Sequence, residues 1–312
     1  MTKPVVAAEA CTSLGAPAHA LESFPNKDVS LGALHVTRAL PIRERRMIGP
    51  WCFLDRFGPL TFADDTPMNV APHPHTGLQT VTWLFDGEVL HDDSLGSEAV
   101  ARPGGVNVMT SGRGIAHAEQ TPRANSGRLN GAQLWVALPD SDRAVAPAFD
   151  HHAGLPVFTA PGMRATVLLG DVDGASSPGR AYTPIVGVDV ELHGPARLPL
   201  TPEFEHAVLT VSGTPEVDGG PLAPGSLGYL GSGRSELRLA ADTPARLLVL
   251  GGEPFAEQIV MWWNFVARSG EEVAAARERW QHGGFVAVPD SGRALDAPEL
   301  PPSRLVPRGR VR

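Results

Sequence analysis

Turn-forming residues recur so densely along this chain that long helices have little room between them. Thirty-four glycines and 30 prolines are spread through 312 residues, and long amphipathic runs are scarce. That texture favours many short strands joined by tight turns, so an all-β body is expected. Strand signals begin at Leu31 and recur at Val106–Met109, Gln133–Leu138, Val167–Leu169, Ile185–Leu192, Glu205–Val211, Leu227–Leu230, Leu237–Leu239 and Ala245–Leu250. From Val81 to Leu90 the pattern reads as a β-hairpin, with Asp86-Gly87 supplying the positive φ angles of a two-residue turn.

The length suits two domains of ordinary size. Pro139 to Pro161 holds four prolines and no sustained pattern, the texture of a connection between two halves. The chain therefore divides into a loose arm over 1–28, an N-terminal domain over 29–145, a linker over 146–165, a C-terminal domain over 166–290 and a flexible tail over 291–312. One helix is predicted near the end. Ser269 is a good N-cap, Glu272 completes a capping box, Val273, Ala276 and Trp280 share a face, and Gly283 stops the run. Such a helix would pack on the outside of a barrel.

A net charge of −8 argues against a general affinity for nucleic-acid phosphates or anionic lipid. The one basic run, Arg43, Arg45 and Arg46, sits beside Glu44 and reads as a solvated face. Cys11 and Cys52 are too few and too far apart for a disulfide framework or a cysteine-rich metal site. Glu9, Thr12 and Ser13 interrupt the apolar core that a signal peptide needs. No run reaches the length of a membrane-spanning helix, so a cytoplasmic address is expected.

Two short pairs carry the chemistry: His73-Pro-His75 and His117-Ala-Glu119, each beside strand-like sequence. Residues i and i+2 of a strand point to one face, so each pair can aim two donor atoms into one cavity. Three imidazoles and a carboxylate would then surround a single ion. This mixed nitrogen and oxygen set suits a borderline first-row metal, and leaves two positions open on a six-coordinate ion such as Fe(II). Mn, Ni, Cu and Zn fit the same donor types. Continuing the alternation from His73 puts His75, Gly77, Gln79, Val81 and Trp83 on the inward face, with Thr82 pointing away. Across the hairpin Thr82 would oppose His91, which would then face away from the ion unless a bulge intervenes. A ligating histidine usually donates its second ring N–H to an acceptor, for which Gln79 or a backbone carbonyl is available. Arg113, between Gly112 and Gly114, reads as a loop anchor.

The run His73-Pro-His-Thr-Gly-Leu-Gln-Thr-Val-Thr-Trp-Leu84, with Arg102-Pro-Gly-Gly105, Met109-Thr-Ser-Gly-Arg-Gly-Ile-Ala-His-Ala-Glu119 and Gln133-Leu-Trp-Val-Ala-Leu-Pro139, closely resembles the pirin family of the cupin superfamily. Arg38-Ala-Leu-Pro41 and Ile48-Gly-Pro-Trp-Cys-Phe-Leu-Asp55 fit it too. The resemblance implies two cupin barrels facing each other, with iron only in the N-terminal one, held by His73, His75, His117 and Glu119. It departs where Gln79 stands for the glutamate of many relatives, and where Val260-Met-Trp-Trp-Asn-Phe265 replaces an expected Gly-Pro-Phe-Val-type segment. Similarity to quercetin 2,3-dioxygenase implies an Fe(II) dioxygenase that takes O₂ and a small flavonol-type aromatic, with Glu119 also a candidate base. Two alternatives remain open. One is an iron or redox sensor that binds a transcription factor or metabolic enzyme, and the other a Zn or Mn cupin isomerase.

Overall fold

The computed structural model describes residues 20–31, 34–63 and 68–310. Its body is two large antiparallel sheets lying face to face, each backed on its far side by a smaller sheet. The N-terminal large sheet orders its seven strands as 148–153, 105–110, 78–87, 128–137, 51–61, 34–40 and 27–31. Its four-stranded partner runs 69–75, 115–120, 89–93 and 98–101. The C-terminal large sheet orders 22–25, 226–231, 205–212, 245–252, 185–192, 163–169 and 157–160. Strands 196–199, 236–240, 216–217 and 220–221 back it.

Alternation along the strands builds two kinds of core from the same residues. On Leu78–Gly87, Val81, Trp83 and Phe85 face the other domain, where they meet Leu168, Ile185, Leu209 and Leu248. Leu78 and Leu84 turn instead into their own barrel. Both faces of this strand are buried, and each large apolar side chain so enclosed stabilises by about 1.5–3 kcal/mol. The polar atoms of the aromatic residues are satisfied across the interface. The indole N–H of Trp83 donates to Asp189 Oδ2 at 3.0 Å, and that of Trp51 lies 3.1 Å from the carbonyls of Val186 and Gly251. Arg246 grips Asp189 from the outer side, at 2.9 and 2.6 Å.

The hairpin read from Val81 to Leu90 does not form. Leu78–Gly87 lies between 105–110 and 128–137, whereas Val89–Asp93 joins the smaller sheet beside 115–120. Asp86-Gly87 is a corner between sheets, and Gly87 has φ +88° as the sequence suggests. A Cβ there would sit 2.1 Å from the Arg128 carbonyl, so the corner closes only on glycine.

The two ends of the chain are exchanged between the domains, which moves the boundaries expected from sequence. Of the arm placed over 1–28, residues 1–19 lie outside the described residues. Glu22–Pro25 is a strand of the C-terminal sheet, paired to Ser226–Tyr229. Residues 148–153 and 157–160 of the expected linker are edge strands of the N- and C-terminal sheets, so the crossing itself is short. Residues 259–310 return to the N-terminal barrel. There Val260–Trp262 and Phe265–Ala267 form a small hairpin that touches Thr76, and the helix Gly270–Gln281 packs Val273 against it. Ser269 caps this helix as expected, its hydroxyl accepting from Glu272 N at 3.2 Å. The Glu272 side chain reaches one residue further back than a capping box requires, to Arg268 N at 2.9 Å. The tail does not hang free: Leu295 N donates to the Pro72 carbonyl at 2.8 Å and Arg310 to Glu205 at 2.6 Å. No helix among the described residues is long and apolar enough to cross a membrane.

Candidate metal centre

Strand 69–75 pairs antiparallel with 115–120 in a register that sets His117 opposite His73 and Ile115 opposite His75. A bulge between His117 and Glu119 shifts the ladder just beyond. On its other edge 115–120 meets Val89–Asp93, with His117 opposite Asp93 and Glu119 opposite His91. This places His73, His75 and His117 with one ring nitrogen each within 4.8 Å of the others. All three are buried, with ring centroids 4.4–5.0 Å apart.

The hydrogen bonds decide which nitrogen of each ring is free. His73 Nδ1 lies 2.9 Å from the Ala71 carbonyl and His75 Nδ1 3.2 Å from the Asn264 carbonyl. A carbonyl can only accept, so both Nδ1 atoms carry the proton and both Nε2 atoms keep a lone pair. For His117 the acceptor is another imidazole. His91 Nε2 donates to Asp93 Oδ2 at 3.2 Å, which leaves His91 Nδ1 to accept from His117 Nδ1 at 3.3 Å. His117 Nε2 is then a bare lone pair, buried and without a partner. Three buried imidazoles gathered in this way could hold a metal cation.

Electrostatics point the same way. Burial pulls the His73 imidazole down to about 4, against the opposing bond to Ala71. His75 and His117 fall well below the ordinary histidine range through burial first and the neighbouring imidazoles second. All three are neutral near pH 7, and a metal has no proton to displace. Burial raises Asp93, but His91 and the amides of Leu95 and Ser97 outweigh it and hold the carboxyl below its usual range. Asp93 therefore stays anionic at the end of the relay.

Glu119 is buried and lines the same cavity as His73 and His75, beside Thr82 and Gln133. The Thr82 hydroxyl lies 2.8 Å from Gln133 Oε1 and 3.4 Å from Glu119 Oε1. Burial raises the Glu119 carboxyl above its usual range, opposed by His91, Thr82 and Gln133. Its oxygens lie outside the tight group formed by the three imidazoles. Above these residues opens a cavity of about 660 Å³, walled by Val36, Phe53, Phe57 and Trp135, with Phe53 stacked on Trp135 at 4.1 Å. The Arg38–Asp55 ion pair, at 2.8 and 2.7 Å, forms its polar edge.

Two placements differ from the sequence reading. Thr82 faces the cavity, whereas Gln79, Val81 and Trp83 face the other domain, and Gln79 donates to the Arg180 carbonyl at 3.0 Å. The chain turns at Thr76-Gly77, with φ +70° at Gly77, before the next strand begins, and this resets the alternation. His91 faces inward, because its strand belongs to the smaller sheet and never pairs with 78–87. Backbone carbonyls, not Gln79, take the ring protons of His73 and His75. Arg113 is exposed, and its backbone does the anchoring through Val145 and Arg279.

Residues 33–136 match the pirin family profile, and residues 186–286 match the profile of the pirin C-terminal cupin domain. The chain belongs to the pirin family. Both barrels of this pirin-family chain are thus cupin domains, as the resemblance implied. A Pseudomonas aeruginosa protein provisionally named a quercetin 2,3-dioxygenase is 48% identical over 276 residues, 86% of this chain and 87% of that protein. A pirin-like protein of Caulobacter vibrioides is 36% identical over 285 residues, 86% of this chain and 98% of that one. Among solved structures, a quercetin 2,3-dioxygenase from Acinetobacter baumannii superimposes with a TM-score of 0.86 at 42% identity, covering 91% of this pirin-family chain and 96% of the other.

Proposed function

We propose that this protein is a mononuclear iron oxygenase that cleaves an electron-rich, enolic aromatic of the flavonol type. His73, His75, His117 and Glu119 would hold the metal. The observation that carries the reading is the gathering of three buried imidazoles, each offering a ring nitrogen within 4.8 Å of the others, two of which, His73 and His75, line an aromatic-walled cavity. A structural metal site would be closed, whereas this one opens onto space that suits a flat organic ligand. Bound iron would supply the one-electron chemistry that O₂ requires.

The chain's own residues account for the rest. Phe53 and Trp135 offer stacked faces against which an aromatic ring can lie. Glu119, raised by burial, is a stronger base than an exposed glutamate, and is placed to take a proton from a hydroxyl entering the cavity. Thr82 and Gln133 hold its carboxylate in place. The names carried by the Pseudomonas and Acinetobacter relatives support the same substrate class. Purification under argon, metal analysis and then O₂ uptake with quercetin test the proposal. Iron-replete protein that consumes no O₂ with quercetin or with catechols overturns it, and favours a site that senses iron oxidation state for a protein partner.

A further inference from the structure

The segment Val260-Met-Trp-Trp-Asn-Phe265 ends in the cavity of the N-terminal domain. Its two short strands pair Trp262 with Phe265, so Trp263-Asn264 is a two-residue turn. Trp263 has φ +52°, a region where such turns ordinarily place Gly, Asn or Asp and where a bulky side chain is an outlier. The strain is tolerated at a place where both residues meet the candidate site. The Asn264 carbonyl takes the Nδ1 proton of His75, and Trp263, Asn264, Met261 and Leu295 line the cavity with the histidines.

The docking of this turn is tight. Val266 N donates to the Thr76 carbonyl at 3.0 Å, and Phe265 forms a parallel bridge with Thr76. A Cβ on Gly77 would sit 2.1 Å from the Val266 carbonyl, so the hairpin reaches this depth only because residue 77 has no side chain. Trp263 is in turn braced edge-on against the buried ring of Phe265, centroids 5.5 Å apart. A half-buried indole held rigidly at the wall of a cavity is a contact surface for whatever enters it.

We infer that Trp263 is a specificity-determining residue of the N-terminal site: it forms the outer aromatic wall against which the part of the ligand remote from the metal lies. The ligand class comes from the flavonol reading above, on which this inference rests. A flavonol carries ring surface beyond its chelating group with which to meet the cavity lining at Trp263, and a single-ring chelator carries little. Glycine is the informative replacement, because it accepts φ +52° without strain and leaves the turn intact.

The test is anaerobic binding to intact chain loaded with Ni(II), comparing quercetin with 4-nitrocatechol. Trp263→Gly is expected to weaken quercetin by about tenfold and to leave 4-nitrocatechol within about twofold; the lost packing on Phe265 lowers the melting temperature, and retained 4-nitrocatechol binding shows that the site is still folded. Trp263→Phe restores most of the quercetin affinity. Unchanged quercetin affinity in Trp263→Gly overturns the inference, as do a parallel loss of both probes and a wild type that binds no quercetin. Quercetin that binds but supports no O₂ uptake by the iron form overturns the oxygenase reading alone.

Discussion

Among the described residues, the C-terminal barrel buries His206 outside any group of metal-ligating side chains, and this makes a clean measurement possible. His206 is fully buried, and neither ring nitrogen has a hydrogen-bond partner of good geometry. Burial first and the Arg234 guanidinium second pull it from 6.5 to about 4, against a weak contact to the Phe204 backbone. Because the folded value lies below the unfolded one, the unfolded chain binds the extra proton between those limits. Stability must then fall as pH falls from about 6.5 toward 4. Integrated from pH 7.5 to 5.0, this one group costs about 2 kcal/mol. His206→Leu removes the titration, and Val186, Val188, Leu198 and Val249 around it offer an apolar site of suitable size. Urea unfolding at the two pH values should show wild type losing about 2 kcal/mol more than the variant over the interval. At pH 7.5 the variant should be as stable as wild type or slightly more, since two unpaired polar atoms are gone. The metal-site histidines contribute the same background to both proteins and cancel in the comparison. Equal losses in wild type and variant would refute the argument, because His206 would then have to protonate without disturbing the barrel.

Other perturbations separate the roles around the metal. Replacing an outer partner of a metal ligand costs about 10–100-fold in metal affinity, so His91→Leu, which breaks the relay from Asp93 to His117, should fall in that range in a competitive chelator titration. Glu119→Gln should exceed it if the carboxylate is a ligand; a loss within that range makes Glu119 an outer base. His117→Ala should abolish retention of the metal through gel filtration, and retention would contradict the three-imidazole site. Asp189→Asn leaves the Arg246 charge and the Trp83 indole with a weaker acceptor at the interface between the domains. Arg246 remains partly exposed, so a cost of about 2 kcal/mol is expected, below that of a fully enclosed pair. A melting temperature unchanged by this substitution would mean that the clamp does not hold the sheets together.

The grouping of the histidines was partly legible because its geometry is local: His73 and His75 are two residues apart on a strand, and the period of two requires no knowledge of the rest of the fold. Glu119, two residues beyond His117, reaches the same cavity, but past a bulge and with its oxygens outside the group that the three imidazoles form. The helix was legible for the same reason, since Ser269, Glu272 and Gly283 are signals read within one turn of its ends. Register was not. Counting by twos past His75 fails at Thr76-Gly77, where the chain leaves one sheet and enters another, and every later residue changes face. The same error turned His91 outward: Asp86-Gly87 has the composition of a hairpin turn, and nothing in those two residues says that the strands they join belong to different sheets.

Gln79 shows what that error conceals about chemistry. Read as facing the ion, it looks like a lost carboxylate ligand. In place it is fully buried against the second domain, donating to Thr110 and to the Arg180 carbonyl, with its own carbonyl oxygen unpartnered. The Arg180 carbonyl can only accept, so a glutamate at this position would set a buried carboxylate oxygen against it, and only the Thr110 hydroxyl could turn to donate. The amide is thus explained by the contact between domains, independently of the metal. The one candidate ligand whose partner comes from far along the chain is His75, whose Nδ1 proton goes to Asn264. No spacing rule reaches across that separation. It exists because residues 259–310 fold back over the first barrel, so that a turn late in the chain finishes the N-terminal site.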